Sequence, residues 1–474
     1  MAAESSPLYP SMPGNSLAAN PLALDGALQR AWAQQRRAAW QRTQRIAMYP
    51  MIFFQFYLAI SVAVFAFGPW PWPVTNPLEL YTFLLLAHVC LYLGYRTAIT
   101  RQPRASSIKL RIPMVVAASL ICNFVFVPVT YKTRTGATNA GVGTAVEAVG
   151  TGLTDPGAQY DEKIVNNATL SEQSTIYDYL VLPFLPLMYL AFPLGIFFWK
   201  QMPIFHKTGL VVWLMVDISM WIASGTNKGI ADLVLLLPCL LIARKPDLFL
   251  RFKSRDVVLI LVLGLVGLVG LFTFFSLGMS GRSGGGRDQF FEPGAAISAD
   301  TESVSLRYLP VAMQGSLASF ASYFSQGYYA LSLSLHEPFV FCYGVGNSYF
   351  LEGLSRHLVV SPIGDDTYPA RIELSGWDRN GKWHSIYPWI ASDLSFPGTL
   401  VFMFFLGRIF AVVWLDVAFA RNPIAVCLFP LILTMMIYIP ANNQVLGFST
   451  AALPLLTLVP LWLISRVRAR GITA

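Results

Sequence analysis

Three short segments carry residue types that could act on an anionic ligand. In SGTNKG (224–229), Gly225 and Gly229 bracket a turn whose lone charge is Lys228. A glycine there lets backbone N–H groups at the start of a helix approach an anion, and the helix dipole favours negative charge at that point. In SGRSGGGRD (280–288), Arg282 and Arg287 stand five residues apart among glycines, and guanidinium groups suit bidentate phosphate capture. In WHSIYPWIASDLSFPG (383–398), His384 can titrate near neutral pH and serve as a general base, with Asp393 nine residues on. Together these offer a grip on a diphosphate and a proton acceptor. Each has a plainer alternative: a solvated turn lysine, a flexible glycine linker, an interfacial aromatic belt. The Lys228 turn is not a nucleotide P-loop, since G-x-x-x-x-G-K-[ST] is absent.

The elements that must position these residues belong to a membrane. The chain has 474 residues, 55% hydrophobic and only 12% charged, where soluble domains run near 25% charged. Its mean hydropathy is +0.54. An all-α polytopic membrane protein is expected. Runs long enough for a ~30 Å hydrocarbon core fall at 47–67, 78–95, 112–131, 176–199, 210–223, 230–243, 257–277, 397–418, 424–439 and 448–464. That gives about ten spans. With the N-terminus inside, most of the 33 basic residues fall in short cytoplasmic segments, as the positive-inside rule requires, and both ends are cytoplasmic. The organisation expected is a cytoplasmic tail (1–46), seven spans (47–278) with an outer loop at 132–175, a large outer loop (279–396), and three spans with a tail (397–474). The net charge of +8 follows from this bias and requires no nucleic-acid partner.

The outer segments differ. Loop 132–175, rich in Gly, Thr, Ala and Asn, reads as flexible or lid-like. Within the larger loop, Leu309, Met313, Leu317, Phe320, Phe324, Tyr328, Leu331 and Leu335 form one apolar stripe behind Pro310, with Ser and Gln opposite. That predicts a helix along the membrane surface or across the bundle top; an extra pair of spans, twelve in all, is the competing reading. Asp217, Asp232 and Arg408 fall inside or beside spans and need partners, with Arg408–Asp217 the expected pair. Four of five cysteines lie in spans and only Cys342 faces outside, so no outer disulfide or cysteine zinc site can be assembled. Asp365 and Asp366 in GDDTYP are read as loop acids rather than metal ligands.

SGTNKGIAD, YFSQGYYALSLSL (323–335), GVGNSYF (344–350) and WHSIYPWIASDLSFPG, set among many spans and one large outer loop, resemble the bacterial Wzy-type O-antigen polymerases. The resemblance covers most of the chain from about residue 177. It implies a GT-C-like, metal-independent glycosyltransferase of the inner membrane, with no cofactor. Such an enzyme joins oligosaccharide repeat units carried on undecaprenyl diphosphate, beside membrane lipid and a chain-length regulator protein. By motif position it implies diphosphate binding by Arg282, Arg287 and Lys228, sugar contacts from Asn227, Gln326, Tyr328, Trp383 and Tyr387, and His384 or Asp393 as base. An O-antigen ligase would use the same diphosphate site. A lipid-sugar flippase or transporter would instead make the intramembrane charges central, and a chain-length-regulating subunit would need no basic pair.

Overall fold

A computed structural model describes residues 26–137, 141–170, 179–226, 228–246, 255–282, 290–359 and 363–472. The chain is a helical membrane protein. Its helices are α1 (Gly26–Phe67), α2 (Pro77–Ala98), α3 (Ile112–Val125), α4 (Val127–Thr135), α5 (Val142–Thr154), α6 (Pro156–Leu170), α7 (Leu185–Tyr189), α8 (Ala191–Phe197) and α9 (Ile204–Ala223). They continue as α10 (Lys228–Arg244), α11 (Arg255–Arg282), α12 (Val311–Ser334), α13 (Tyr349–Val359), α14 (Tyr368–Arg371), α15 (Ile386–Ala418), α16 (Pro423–Tyr438) and α17 (Ser449–Ile472). A two-residue antiparallel pair, β1 (Phe291–Glu292) and β2 (Ile297–Ser298), sits in the large loop.

Among the described residues, four helices are long and apolar enough to cross a membrane: Thr43–Phe67 within α1, α2, α15, and Ser449–Arg468 within α17. The α3–α4 pair makes a fifth if it counts as one span bent by 58°. The bend falls at Phe126 (φ −93°, ψ 11°), two residues ahead of Pro128, which brings no N–H to the helical ladder. The run at 176–199 is broken too: Pro183, Pro186 and Pro193 divide it into a 3₁₀ turn, α7 and α8.

Helix α15 is the spine. A Cβ on Gly94 of α2 would lie 1.8 Å from the Phe404 carbonyl oxygen, and one on Gly407 of α15 would lie 2.0 Å from that of Leu91. The two backbones therefore touch through a pair of glycines, as close membrane helix pairs do. Near its start, α15 breaks at Ser395 (φ 63°, ψ 169°), two residues ahead of Pro397. At its far end Asp416 is fully buried, bonded to the Arg104 backbone N–H, the Trp462 indole and the Arg466 guanidinium.

Two expectations are corrected here. Segment 132–175 is not a structureless lid: α5 and α6 occupy most of it. Gly152 of α5 packs on α9, where a Cβ would meet the Ile222 carbonyl oxygen at 2.0 Å. The start of α6 covers Gly225, which holds φ +60° with Pro156 and Tyr160 backbone atoms against its Cα. Nor does α12 lie along the membrane surface, the first of its two expected placements. Ser319, Ser322, Ser325 and Gln326 are buried with Tyr328. The Tyr328 hydroxyl meets Ser61 of α1 at 2.8 Å, and Trp70 and Trp72 donate to Ala318 and Ser325. The polar stripe is an internal seam whose hydroxyls satisfy neighbouring donors.

Candidate functional site

The break between α9 and α10 builds the centre of the site. Ser224 and Gly225 close α9, and Lys228 is the first residue of α10. Its Nζ lies 2.8 Å from Asp232 one turn on, and the Tyr438 hydroxyl donates to the other Asp232 oxygen at 3.0 Å. The same ammonium stands 6.0 Å from the Trp221 ring and 5.9 Å from the Tyr438 ring, a cation held between two aromatic faces. Arg134 also sits over Trp221, 4.3 Å from the indole, and pairs with Asp217 at 2.7 Å. Two cations thus share one indole, each with its own carboxylate.

Gly229 does not leave room for an anion. A Cβ there would fall 2.0 Å from the Trp221 Nε1, so the space above the glycine is filled by the indole. The expected Arg408–Asp217 pair is also absent: Asp217 belongs to Arg134, and Arg408 donates to the Thr97 hydroxyl at 3.3 Å. Which helices are neighbours decides such pairs, and α4, not α15, meets α9 at that depth.

From Tyr438 an aromatic path leads outward. The Trp383 ring lies 6.1 Å from Tyr438 and 4.9 Å from Tyr323. The Trp383 backbone N–H donates to Gln326 Oε1 at 3.2 Å, fixing the 383–386 segment on α12. Just beyond, the Ser385 N–H bonds the Gly327 carbonyl and the Ile386 N–H that of Ile439. Gly327 is required, since a Cβ would lie 2.2 Å from the Pro440 carbonyl oxygen. Tyr323 in turn meets Phe275 of α11 at 5.3 Å, and α11 ends at Arg282. Lys228, Tyr323 and Trp383, taken from three distant segments, thereby form one half-buried basic and aromatic patch, with Gln326, itself buried, holding the Trp383 backbone in place. Tyr438, Trp221, Arg134, Asp217 and Asp232 complete it. Asn227 and Arg287 lie outside the described residues, as does the side chain of Arg282.

The other expected site residues are placed elsewhere. Tyr328 and Tyr387 are core residues with no exposed surface, the Tyr387 ring packed edge-on against Phe83. In this arrangement they offer a sugar nothing to touch. His384 is 1% exposed, beside Trp389, and neither ring nitrogen makes a hydrogen bond of ordinary geometry among the described residues. Burial pushes its pKa down to about 4, with Asp378 opposing weakly, so the imidazole is neutral at pH 7. It has the protonation state of a base but is shut away from solvent.

Asp393 is a clamp. It accepts from the Gly344 N–H at 2.8 Å, the Gly346 N–H at 3.3 Å and the Asn347 amide at 2.6 Å, and is 6% exposed. Asn443 extends the clamp by donating to the Asn347 carbonyl at 2.6 Å. These bonds tie the GVGN loop to the first part of α15. Nearby, Arg379 gathers Glu352, Asp365 and Glu373, each at 3.4 Å. Asp365 is therefore an ion-pair partner, and no group of three His, Cys, Asp or Glu among the described residues is placed to hold a metal.

Sequence reading missed Arg134, Trp221, Tyr323 and Tyr438. A faint signal existed for Arg134, a cation where an apolar run ends, and for Trp221, one turn ahead of the SGTNKG break. Tyr438 closes an unremarkable run and had none. Comparison with known proteins adds no likeness: no protein-family model, no curated protein and no solved structure matches the chain.

Proposed function

We propose that the protein is a bacterial inner-membrane glycosyltransferase that polymerises oligosaccharide repeat units carried on undecaprenyl diphosphate into O-antigen or a related surface polysaccharide. The reading takes all ten apolar runs as spans of a GT-C-like bundle with both termini in the cytoplasm, which sets the Lys228 patch on the outer face. The observation that supports it is the convergence of Lys228, Tyr323 and Trp383 on one patch. A cation flanked by aromatic faces suits a ligand that is anionic at one end and built of sugar rings at the other.

In this reaction the acceptor hydroxyl oxygen bonds to the anomeric carbon of the growing chain as the bond to the carrier diphosphate breaks. The hydroxyl proton passes to a base, and the diphosphate leaves with the electron pair. Negative charge grows on the leaving group, so a preplaced ammonium stabilises the transition state more than the ground state. Because Asp232 holds Lys228, the diphosphate must displace that carboxylate. Asp232 then keeps Tyr438 as its donor.

A second reading has an observation of its own. The pairs Arg134–Asp217 and Lys228–Asp232 cancel in charge and are only partly exposed, an arrangement suited to a lipid-sugar transporter that exchanges partners during passage. A ligase would share the diphosphate site and differ in its acceptor.

The test is polymer formation in a strain lacking the native gene, read as a ladder of chain lengths with protein level checked. Lys228→Ala is expected to cut polymer by about 10²-fold and leave single-repeat product. A normal ladder from Lys228→Ala and Trp383→Ala together would remove the proposed site. Loss of lipid-linked repeats from the outer leaflet would establish transport instead.

A further inference from the structure

On another side of the molecule, a cavity of about 550 Å³ opens between the start of α2 and the break in α15. Its floor is apolar, formed chiefly by Leu86, Phe396 and Leu400, and its mouth is polar, with Asn76 and Glu79. Leu78 and Leu86 are 78% and 44% exposed, so the groove opens sideways toward lipid. From Glu79 to Leu86 the groove runs about 10 Å down α2, at 1.5 Å per residue. That is an amphiphile's profile: one polar end at the level of the headgroups and an apolar channel beneath.

Charge chooses the headgroup. Among the described residues Glu79 is the only carboxylate lining the groove, and no lysine or arginine joins it. Its Oε2 is engaged in helix capping, accepting from the Asn76 amide at 2.9 Å with the His336 Nδ1 3.9 Å away. Its Oε1 has no hydrogen-bond partner among the described residues. We infer that this groove holds a phospholipid with a primary-amine headgroup, its ammonium on Glu79 and one acyl chain along Leu86 and Leu400. An anionic headgroup would meet the Glu79 carboxylate with no lysine or arginine in the lining to offset it, and is disfavoured. The inference does not depend on the glycosyltransferase reading.

Native mass spectrometry of the full chain, released from nanodiscs of equal phosphatidylethanolamine and phosphatidylglycerol, tests it. The unmodified protein should retain phosphatidylethanolamine preferentially. Glu79→Gln should lower that retention about two- to fivefold, the scale of one partly exposed ion pair, and leave phosphatidylglycerol unchanged. Leu86→Trp, a lipid-facing substitution that obstructs the channel without touching the helix cap, should lower retention of the amine lipid as well. Equal retention of both lipids by the unmodified protein would overturn the inference. So would a preference that survives both substitutions.

Discussion

At the C-terminal end of α15, Asp416 is wholly enclosed, and both its oxygens are taken by Arg104, Trp462 and Arg466. Across the bundle, Asp217 and Asp232 also pair with cations, yet their side chains remain 26% and 22% exposed and their partners rest on open aromatic faces. The chemistry is the same in both places, and solvation differs. In the enclosed knot, losing one partner strands a charge where water cannot replace it. In the open pairs, water or another anion can. What separates a structural ion pair from an exchangeable one is therefore saturation and access, more than depth in the bundle.

The sharpest way to break that contrast is Asp416→Ala. It leaves Arg466 buried without its carboxylate and should cost about 3–5 kcal/mol, read as a large drop in thermal midpoint in detergent. The double change Asp416→Leu with Arg466→Met should recover most of the loss, because an apolar pair leaves no charge uncompensated. A single variant as stable as the parent would place the knot in the same class as the open pairs.

His384 sharpens the contrast, being a closed group beside the open patch. Its folded pKa lies near 4 and its unfolded one near 6.5, so between these values the unfolded chain binds the extra proton. Stability must then fall as pH drops from 6.5 to 4, by on the order of 3 kcal/mol from this residue. Thermal midpoints measured across that window should decline less steeply in His384→Gln than in the parent, and equal slopes would deny the burial effect. The smallest expected effect is that of Asp232→Asn. With Lys228 35% and Asp232 22% exposed, stability should change by no more than about 1 kcal/mol, while an anion should reach Lys228 more readily. Protection of Lys228 from amine-reactive label by inorganic pyrophosphate should occur at lower concentration in this variant.

Hydropathy made the helices legible, since apolar runs of span length have few other uses. Lys228 was legible because a lone charge at a glycine-flanked break stands out. Its partners were not, because they depend on which helices pack together. Arg134 reaches Asp217 past the bend at Phe126; Pro128 signals a break in the 112–131 run, but not which helix the chain beyond it meets. Asp416 lies two residues from the end of its helix, where a carboxylate can ordinarily be solvated. In α5 the signal was present but faint: Ala145, Ala148 and Gly152 recur on one face, the small-residue spacing that lets a helix lie close on another. The polar face of α12 misled for the opposite reason, since serine hydroxyls serve as well inside a seam as in water.

The break at Ser395 makes α15 two rods on one joint. A non-glycine residue at positive φ costs of order 1–3 kcal/mol and persists only when its surroundings over-determine it. Here Asp393 fastens the upper rod to the GVGN loop, and the glycine contact between α2 and α15 fastens the lower rod to the bundle. Residues 386–394 are in mechanical terms part of the GVGN loop, residues 396–418 part of the bundle, and Ser395 is the joint at which the one body is set against the other.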